Sequence, residues 1–253
     1  MREKSRLKAN KMQTNTMTLG KQLFLAACLA MLSACATQAN KDPLEGMNRG
    51  IYKFNDVADK ALIKPVASVY QTITPSPIRK GINNFYENLT SLTTVFNDLL
   101  QFKFAHAFTD AGRFVINSTV GIAGFFDVAS MDDVPKHKED FGQTLGHWGV
   151  ADGAYLVLPI LGPSSLRDTT GLVFDLATTD PIAYAHRKGD VRLHNQLRVG
   201  QLIDKRAELL TATDLIDEAS LDPYAFTRDA YLQRRASLVQ DGIVPEEFIQ
   251  DDE

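Results

Sequence analysis

Ser76-Pro77-Ile78-Arg79-Lys80-Gly81-Ile82-Asn83-Asn84-Phe85-Tyr86-Glu87-Asn88-Leu89-Thr90-Ser91-Leu92-Thr93-Thr94-Val95-Phe96-Asn97-Asp98-Leu99 decides the fold class of this 253-residue chain. Ile78, Ile82, Phe85, Leu89, Leu92, Phe96 and Leu99 recur at alternating spacings of four and three residues, which places them on one face of an α-helix. Ser76-Pro77 is a helix start, because proline loses nothing in the first turn. The opposite face carries Asn83, Asn84, Asn88, Thr90, Ser91 and Thr94, with few charges. A water-facing helix normally carries Lys and Glu. Two readings fit: a helix covered on two sides by neighbours, or a polar face that meets lipid headgroups.

The segments on either side repeat the helical period. Asp42-Pro43-Leu44-Glu45 reads as a capped helix start. Leu44, Met47, Ile51, Phe54, Ala58 and Ala61 share its face, and Pro65 is expected to interrupt it. Phe104 to Val120 is expected to be helical, with Phe104, Phe108, Ala111 and Val115 on one side. Asp190 to Ala219 reads as a long helical region with a cap or kink near Gly200. Asp222-Pro223 opens a last helix bearing Tyr224, Tyr231 and Leu238. Strand-like alternation is scarce, so the fold class is all-α. Two stretches carry no charge, Phe114 to Phe126 and Gly153 to Leu166. Both are too short to span a bilayer, which takes roughly 20 apolar residues. They read as buried core, with dipping into one leaflet as the alternative.

The N-terminus carries an address. Lys21 precedes an apolar run, Leu23 to Leu32, that ends in Leu32-Ser33-Ala34-Cys35. This is a basic segment, a short hydrophobic segment and a small-residue cleavage site, and it resembles a bacterial lipobox. The resemblance implies that Cys35 receives a diacylglycerol and, after cleavage, an acyl chain on its new amino group. Ala36, in place of Asp, implies outer-membrane delivery. The basic leader is long, so Met12 or Met17 is an alternative start. The expected organisation is a signal peptide over 1–34, a lipidated tether over 35–41, a helical domain over 42–245 and a disordered acidic tail over 246–253. Residues 1–34 hold six Lys/Arg and one acid, which leaves 21 basic and 30 acidic residues and a formal charge of −9. That charge argues against a nucleic-acid partner. Cys35 would be the only remaining cysteine, so no disulfide is expected.

No catalytic constellation is visible. His106, His137, His147, His186 and His194 never take metal-ligand spacing on a helix. No Gly-x-Ser-x-Gly elbow, P-loop or dinucleotide-type glycine cluster occurs. Ser164-Ser165 reads as a turn and helix cap, His147 as a hydrogen-bonded structural histidine, and Arg167-Asp168 as a surface or capping pair. The chain is expected not to be an enzyme, with no catalytic residue, no metal and no cofactor beyond the lipid on Cys35.

Three long segments then carry a family resemblance: Asp42-Pro-Leu-Glu-Gly-Met-Asn-Arg-Gly-Ile-Tyr-Lys-Phe-Asn55, Asp140-Phe-Gly-Gln-Thr-Leu-Gly-His-Trp-Gly-Val150, and Gly153-Ala-Tyr-Leu-Val-Leu-Pro-Ile-Leu-Gly-Pro-Ser-Ser-Leu-Arg-Asp168. Ser220-Leu-Asp-Pro-Tyr224 and Arg228-Asp-Ala-Tyr231 add to them. Together they resemble the MlaA (VacJ) family of outer-membrane lipoproteins. The resemblance implies an all-α, ring-like domain in the inner leaflet with an amphipathic central conduit. It implies removal of mislocalised phospholipids from the outer leaflet, association with trimeric porins, and hand-over to the periplasmic lipid carrier MlaC. The chain would then sit on the periplasmic side of the outer membrane. Gly121-Ile122-Ala123-Gly124-Phe125-Phe126 is the candidate conduit lining, because paired glycines allow sharp turning and the neighbouring side chains are apolar or small. Two rival functions are a structural lipoprotein that scaffolds porins and a hydrolase acting on lipid or cell wall.

Overall fold

The computed structural model describes residues 41–243, apart from the side chain of Asp217. The leader, Cys35 and the acidic tail lie outside the described residues. The expected all-α class holds, with one small hairpin added. The order is α1 (Glu45–Ala58), a π-helical turn (Asp59–Ile63), α2 (Lys64–Ile73), α3 (Ser76–Leu100), α4 (Phe104–Thr119), α5 (Val128–Met131), α6 (Phe141–His147), β1 (Tyr155–Leu158), β2 (Gly162–Ser165), α7 (Leu166–Ala177), α8 (Pro181–Arg187), α9 (Val191–Ala219) and α10 (Pro223–Val239).

Several local expectations are corrected. Pro65 does not break the first helix. The chain widens into a π turn just before it, in which the Lys64 amide bonds to the Asp59 carbonyl five residues back, and α2 resumes with Pro65 in its first turn. Gly200 marks no kink, since α9 runs through it. Instead, a Cβ there would lie 2.2 Å from the Tyr86 hydroxyl. Asp42 does not cap α1. It is buried and accepts from Asn48 Nδ2 at 2.8 Å and from the Tyr224 hydroxyl. The uncharged 153–166 stretch is an antiparallel hairpin that pairs Tyr155 with Ser165 and Leu158 with Gly162.

Helix α1 closes the free edge of that hairpin with two asparagines, seven residues and so two turns apart. Asn48 donates to the Tyr155 carbonyl and accepts from the Val157 amide, both at 2.9 Å. Asn55 donates to the Leu158 carbonyl at 2.9 Å and accepts from the Ile160 amide at 2.8 Å. A side-chain amide offers the same donor and acceptor as a peptide group, so two side chains stand in for a third strand. This satisfies backbone groups that would otherwise be costly to bury.

The opposite corner joins α6, α7 and α10. Gly142 and Gly171 bring α6 and α7 into backbone contact, since a Cβ on Gly171 would fall 2.3 Å from the Gly142 nitrogen. Arg235 of α10 then reaches Asp140, at 2.7 and 2.9 Å, and Asp168, at 2.9 Å from both Nε and Nη2. Arg167-Asp168 is therefore no surface pair. Both residues are buried, and Arg167 also meets Asp152 at 2.6 Å. Ser165 caps α7 as expected, accepting from the Asp168 amide at 3.1 Å.

Contacts between elements run in a closed circuit. Helix α1 packs on β1, β2 on α7, α7 on α8, α8 on α9, and α9 on α2, which returns through the π turn to α1. A cavity of about 220 Å³ opens among Tyr52, Asn55, Asp59, Lys64, Pro163, Arg206 and Thr213. Its walls are thus drawn from α1, the π turn, α2, β2 and α9, which lie on different arcs of the circuit.

Candidate functional site

Polar and apolar surfaces are inverted relative to a water-soluble protein. The buried hydrophobic residues are few, mainly Tyr155, Val157, Ile182, Leu210, Tyr224, Leu232 and small alanines. The buried polar residues outnumber them, and many lie on α3. Asn97 and Asp98 are 0 % exposed, and Asn88, Thr94 and Gln101 are buried beside them. The apolar stripe of α3 points the other way, with Ile78, Leu92, Phe96 and Leu99 exposed. Helix α1 repeats the pattern: Asn48 is fully buried while Met47 and Phe54 are exposed. So does α4, where Asp110, Arg113 and Asn117 face in, and Phe104, Val115 and Phe108 face out, the last 86 % exposed. The 114–126 stretch is therefore not core. Exposed apolar area on this scale marks a surface that meets a membrane or a partner. Among the described residues no helix is long and apolar enough to cross a membrane.

The interior is held by hydrogen bonds rather than by oil. Gln101 donates to Glu139 at 2.8 Å and to Thr144 at 3.1 Å. Thr144 donates to Asn97 at 2.8 Å, and Asn97 donates to Asp175 at 3.2 Å. Higher on α3, Asn88 donates to the Ser118 hydroxyl at 2.9 Å and Asn84 to the Phe125 carbonyl at 3.2 Å. Between helices in a lipid surrounding, association has no hydrophobic driving force, and polar contacts take its place.

The 121–126 segment ends α4 in a strained turn. Ile122, Ala123 and Gly124 follow one another in the left-handed region, at φ of 54, 56 and 90°. For a β-branched residue such as Ile122 that conformation is an outlier, costing about 1–3 kcal/mol. Backbone bonds hold it: Ala123 donates to Ser118, Gly124 to Asn117 and Phe126 to Gly121, at 3.0, 2.7 and 2.9 Å. Gly121 and Gly124 are buried, while Ile122 and Phe126 are exposed. The Phe125 ring seats on Gly81 of α3, where a Cβ would come within 2.2 Å of it. Phe125 and Phe126, with Pro77, Lys80, Asn84 and Met131, line a cavity of about 320 Å³. The segment thus walls a cavity on the inner flank of α3.

The histidines are distributed differently from a sequence view. His147 is exposed rather than structural. His106 lies on α4 and His137 in the loop before α6, yet their rings stack at 3.9 Å, and His137 Nδ1 meets Asp110 at 2.7 Å. Among the described residues no three His, Cys, Asp or Glu side chains are disposed to hold a metal ion. Beside this cluster lies Asp98, with neither carboxylate oxygen hydrogen-bonded. Burial, reinforced by the Asp110 and Glu139 carboxylates, pushes its carboxyl up to about 7 against the pull of His137 and Lys103. The folded state therefore prefers the protonated acid. The stability this gives is full below the ordinary carboxyl range and has been lost once pH rises through about 7. Asp98→Asn, which cannot ionise, is expected to raise the melting temperature at pH 8 by several degrees and to change it little at pH 4. Equal effects at both pH values would contradict a neutral Asp98.

None of these inward groups announced itself in the sequence beyond one sign, the shortage of Lys and Glu on the polar face of α3. The Asn48/Asn55 pair had a readable seven-residue spacing, but its partner was a hairpin that sequence periodicity did not reveal.

Residues 40–238 match the MlaA lipoprotein family. The Escherichia coli (strain K12) protein named intermembrane phospholipid transport system lipoprotein MlaA is 34% identical over 254 residues, spanning 96% of this chain and 97% of the relative. The Haemophilus influenzae protein of the same name is 33% identical over 224 residues, covering 87% and 88%. A solved structure, whose subject is the structural basis for maintenance of bacterial outer membrane lipid asymmetry, superposes with a TM-score of 0.68 at 34% identity. It covers 78% of this chain and 98% of that chain. With the signature segments placed at the hairpin edge and the α6–α7–α10 corner, and with matches that span nearly the whole domain, the chain belongs to the MlaA lipoprotein family.

Proposed function

We propose that this chain is an outer-membrane lipoprotein that removes phospholipid from the outer leaflet and so maintains lipid asymmetry. The observation that carries the reading is the inversion: an apolar exterior suited to acyl chains around a hydrogen-bonded polar interior with cavities. A body of this kind sits within one leaflet instead of spanning two. Its anchor is the lipid on Cys35, and the leaflet it occupies is the one on the periplasmic side. Phospholipid headgroups follow the polar interior while their chains lie along apolar walls, of which the Phe125–Phe126 segment is one. The chain acts as a conduit rather than a catalyst, with trimeric porins beside it and the periplasmic carrier MlaC receiving the lipid.

Cells that lack the chain are expected to accumulate phospholipid in the outer leaflet several-fold over the parent, read by labelling surface-accessible phosphatidylethanolamine with a membrane-impermeant amine reagent. Restoring the chain should clear it. An unchanged outer leaflet in the deletion would overturn the reading.

A further inference from the structure

Two cavities adjoin on the inner flank of α3 and share one side chain, Lys80. One, about 320 Å³, is walled by Phe125, Phe126 and Met131. The other, about 340 Å³, is lined by Arg79, Lys80, Asn83, Asp204 and Glu208. The helical period explains the arrangement: Ser76, Arg79 and Asn83 fall on one side of Lys80, and Pro77, Gly81 and Asn84 on the other.

The charges of the polar cavity are unusual for this molecule. Elsewhere, inward-facing arginines are matched by carboxylates, as Arg113 is by Asp127, Arg206 by Asp59 and Arg235 by Asp140 and Asp168. Here, among the described residues, Arg79, Lys80, Asp204 and Glu208 make no ion pair. Arg79 gives one guanidinium nitrogen to the carbonyls of Gln71 and Thr74, at 2.6 and 2.7 Å. Asp204 is only 6 % exposed, yet its partners are the neutral Tyr70 hydroxyl at 2.8 Å and the Asn83 amide at 3.4 Å. The same amide reaches Glu208 at 3.3 Å. Two cations and two anions thus line one cavity, unmatched, beside a second whose apolar wall is Phe125, Phe126 and Met131 and whose one carboxylate, Asp127, is already paired with Arg113.

We propose that this double cavity is a seat for a zwitterionic glycerophospholipid, with the phosphate at Arg79 and Lys80, a primary ammonium at Asp204 and Glu208, and acyl carbon against Phe125, Phe126 and Met131. The proposal rests on the transport reading and adds a headgroup preference to it. A phosphate and an ammonium joined by two carbons satisfy both charge pairs at once, and charge-assisted hydrogen bonds are the strong ones. An anionic lipid with a glycerol headgroup satisfies only the cationic half and leaves the two carboxylates without a counter-charge.

The test uses the purified, lipidated full chain in detergent micelles, followed by native mass spectrometry. The probes are dihexanoyl phosphatidylethanolamine, dihexanoyl phosphatidylglycerol and water-soluble phosphoethanolamine. The ethanolamine lipid is expected to bind about fivefold or more tightly than the glycerol lipid. Glu208→Gln should erase that difference by weakening the ethanolamine lipid alone. Lys80→Gln should weaken both lipids, and Lys80→Arg should restore them. Both side chains are exposed, so the fold is expected to survive, as checked by thermal melting. Phosphoethanolamine should bind far more weakly than its diacyl parent, whereas equal binding would mark a site for free phosphate esters and overturn the lipid assignment. Equal affinity for the two lipids in the wild type, or indifference to both glutamine substitutions, would overturn the site. If deletion cells accumulate outer-leaflet phospholipid while the titrations show no preference, the headgroup seat fails alone. If they do not accumulate it, the transport reading fails first.

Discussion

Arg235→Met is expected to destabilise the fold by about 3–5 kcal/mol, because it removes one partner from a buried ion network and leaves the others charged. Arg235 lies between Asp140, the N-cap of α6, and Asp168 in the first turn of α7. Burial alone would push both carboxyls up, yet the guanidinium overrides it and holds both below the usual carboxylate range. Asp140 keeps part of its surface in solvent, so most of the loss is expected from Asp168, whose side chain is almost fully enclosed. Methionine replaces the stem of arginine but none of its five donors. For a domain of this size the shift corresponds to roughly 10 °C in melting temperature. Arg235→Lys should recover only part of it, since one ammonium cannot serve two carboxylates in the bidentate geometry. Thermal melts of the three proteins at pH 7 check this. The contribution is also expected to vanish in acid: it is present above the ordinary carboxyl range and lost as pH falls through the lowered folded values. Equal stability of Arg235→Met and the wild type at pH 7 would show that the network holds nothing together.

That corner explains why the signature segments were legible as a family mark and illegible as chemistry. Asp140, Gly142, Gly146, Ser165, Arg167 and Asp168 all belong to the two long motifs; Ser165 caps α7, and the others join α6, α7 and α10. Asp42, Asn48 and Asn55 of the first motif tie α1 to the hairpin and to Tyr224. The motif residues are architectural, which is why they lack the spacing of nucleophiles and metal ligands.

The helical period of α3 was legible for a simple reason: three- and four-residue spacing survives whichever way a helix faces. The direction was not. Hydropathy predicts burial only when the surroundings are water, and here four of the seven apolar positions of α3, Ile78, Leu92, Phe96 and Leu99, are exposed and the other three half-buried, while Asn88, Thr94, Asn97 and Asp98 are enclosed. The hairpin escaped for a different reason. Tyr155 to Leu158 is a short apolar run without alternation, which periodicity cannot distinguish from buried helix, and its pairing partner, Gly162 to Ser165, has almost no strand character. The unpaired charges around Lys80 lie on α3 and α9, about 120 positions apart in sequence, so no local pattern reports them.

The inversion makes a prediction that separates a leaflet-seated body from a water-soluble one. A chain beginning at Ala36, made without its acyl anchor, is expected to float with phospholipid vesicles in a density gradient. The double substitution Phe108→Asp and Val115→Asp should leave it at the bottom. Both positions lie on the outward face of α4 and are mostly exposed, so the changes remove almost no internal packing. Stability in detergent is therefore expected to stay within about 0.5 kcal/mol of the parent, as for surface substitutions generally. Against a membrane the same two carboxylates are costly, at roughly 2.5–3.5 kcal/mol each at full depth and less near the headgroups. Even half of that total lowers partitioning by about tenfold or more, since 1.4 kcal/mol is a factor of ten. In a water-soluble reading the sign reverses: the parent does not float, and the added charges only improve solubility. Flotation and melting must be measured on the same preparations, because loss of flotation with loss of fold would report damage and not orientation. If the doubly charged chain stays folded and floats as well as the parent, α4 does not face lipid, and the outward stripes of α1 and α3 lose their strongest support as a membrane surface.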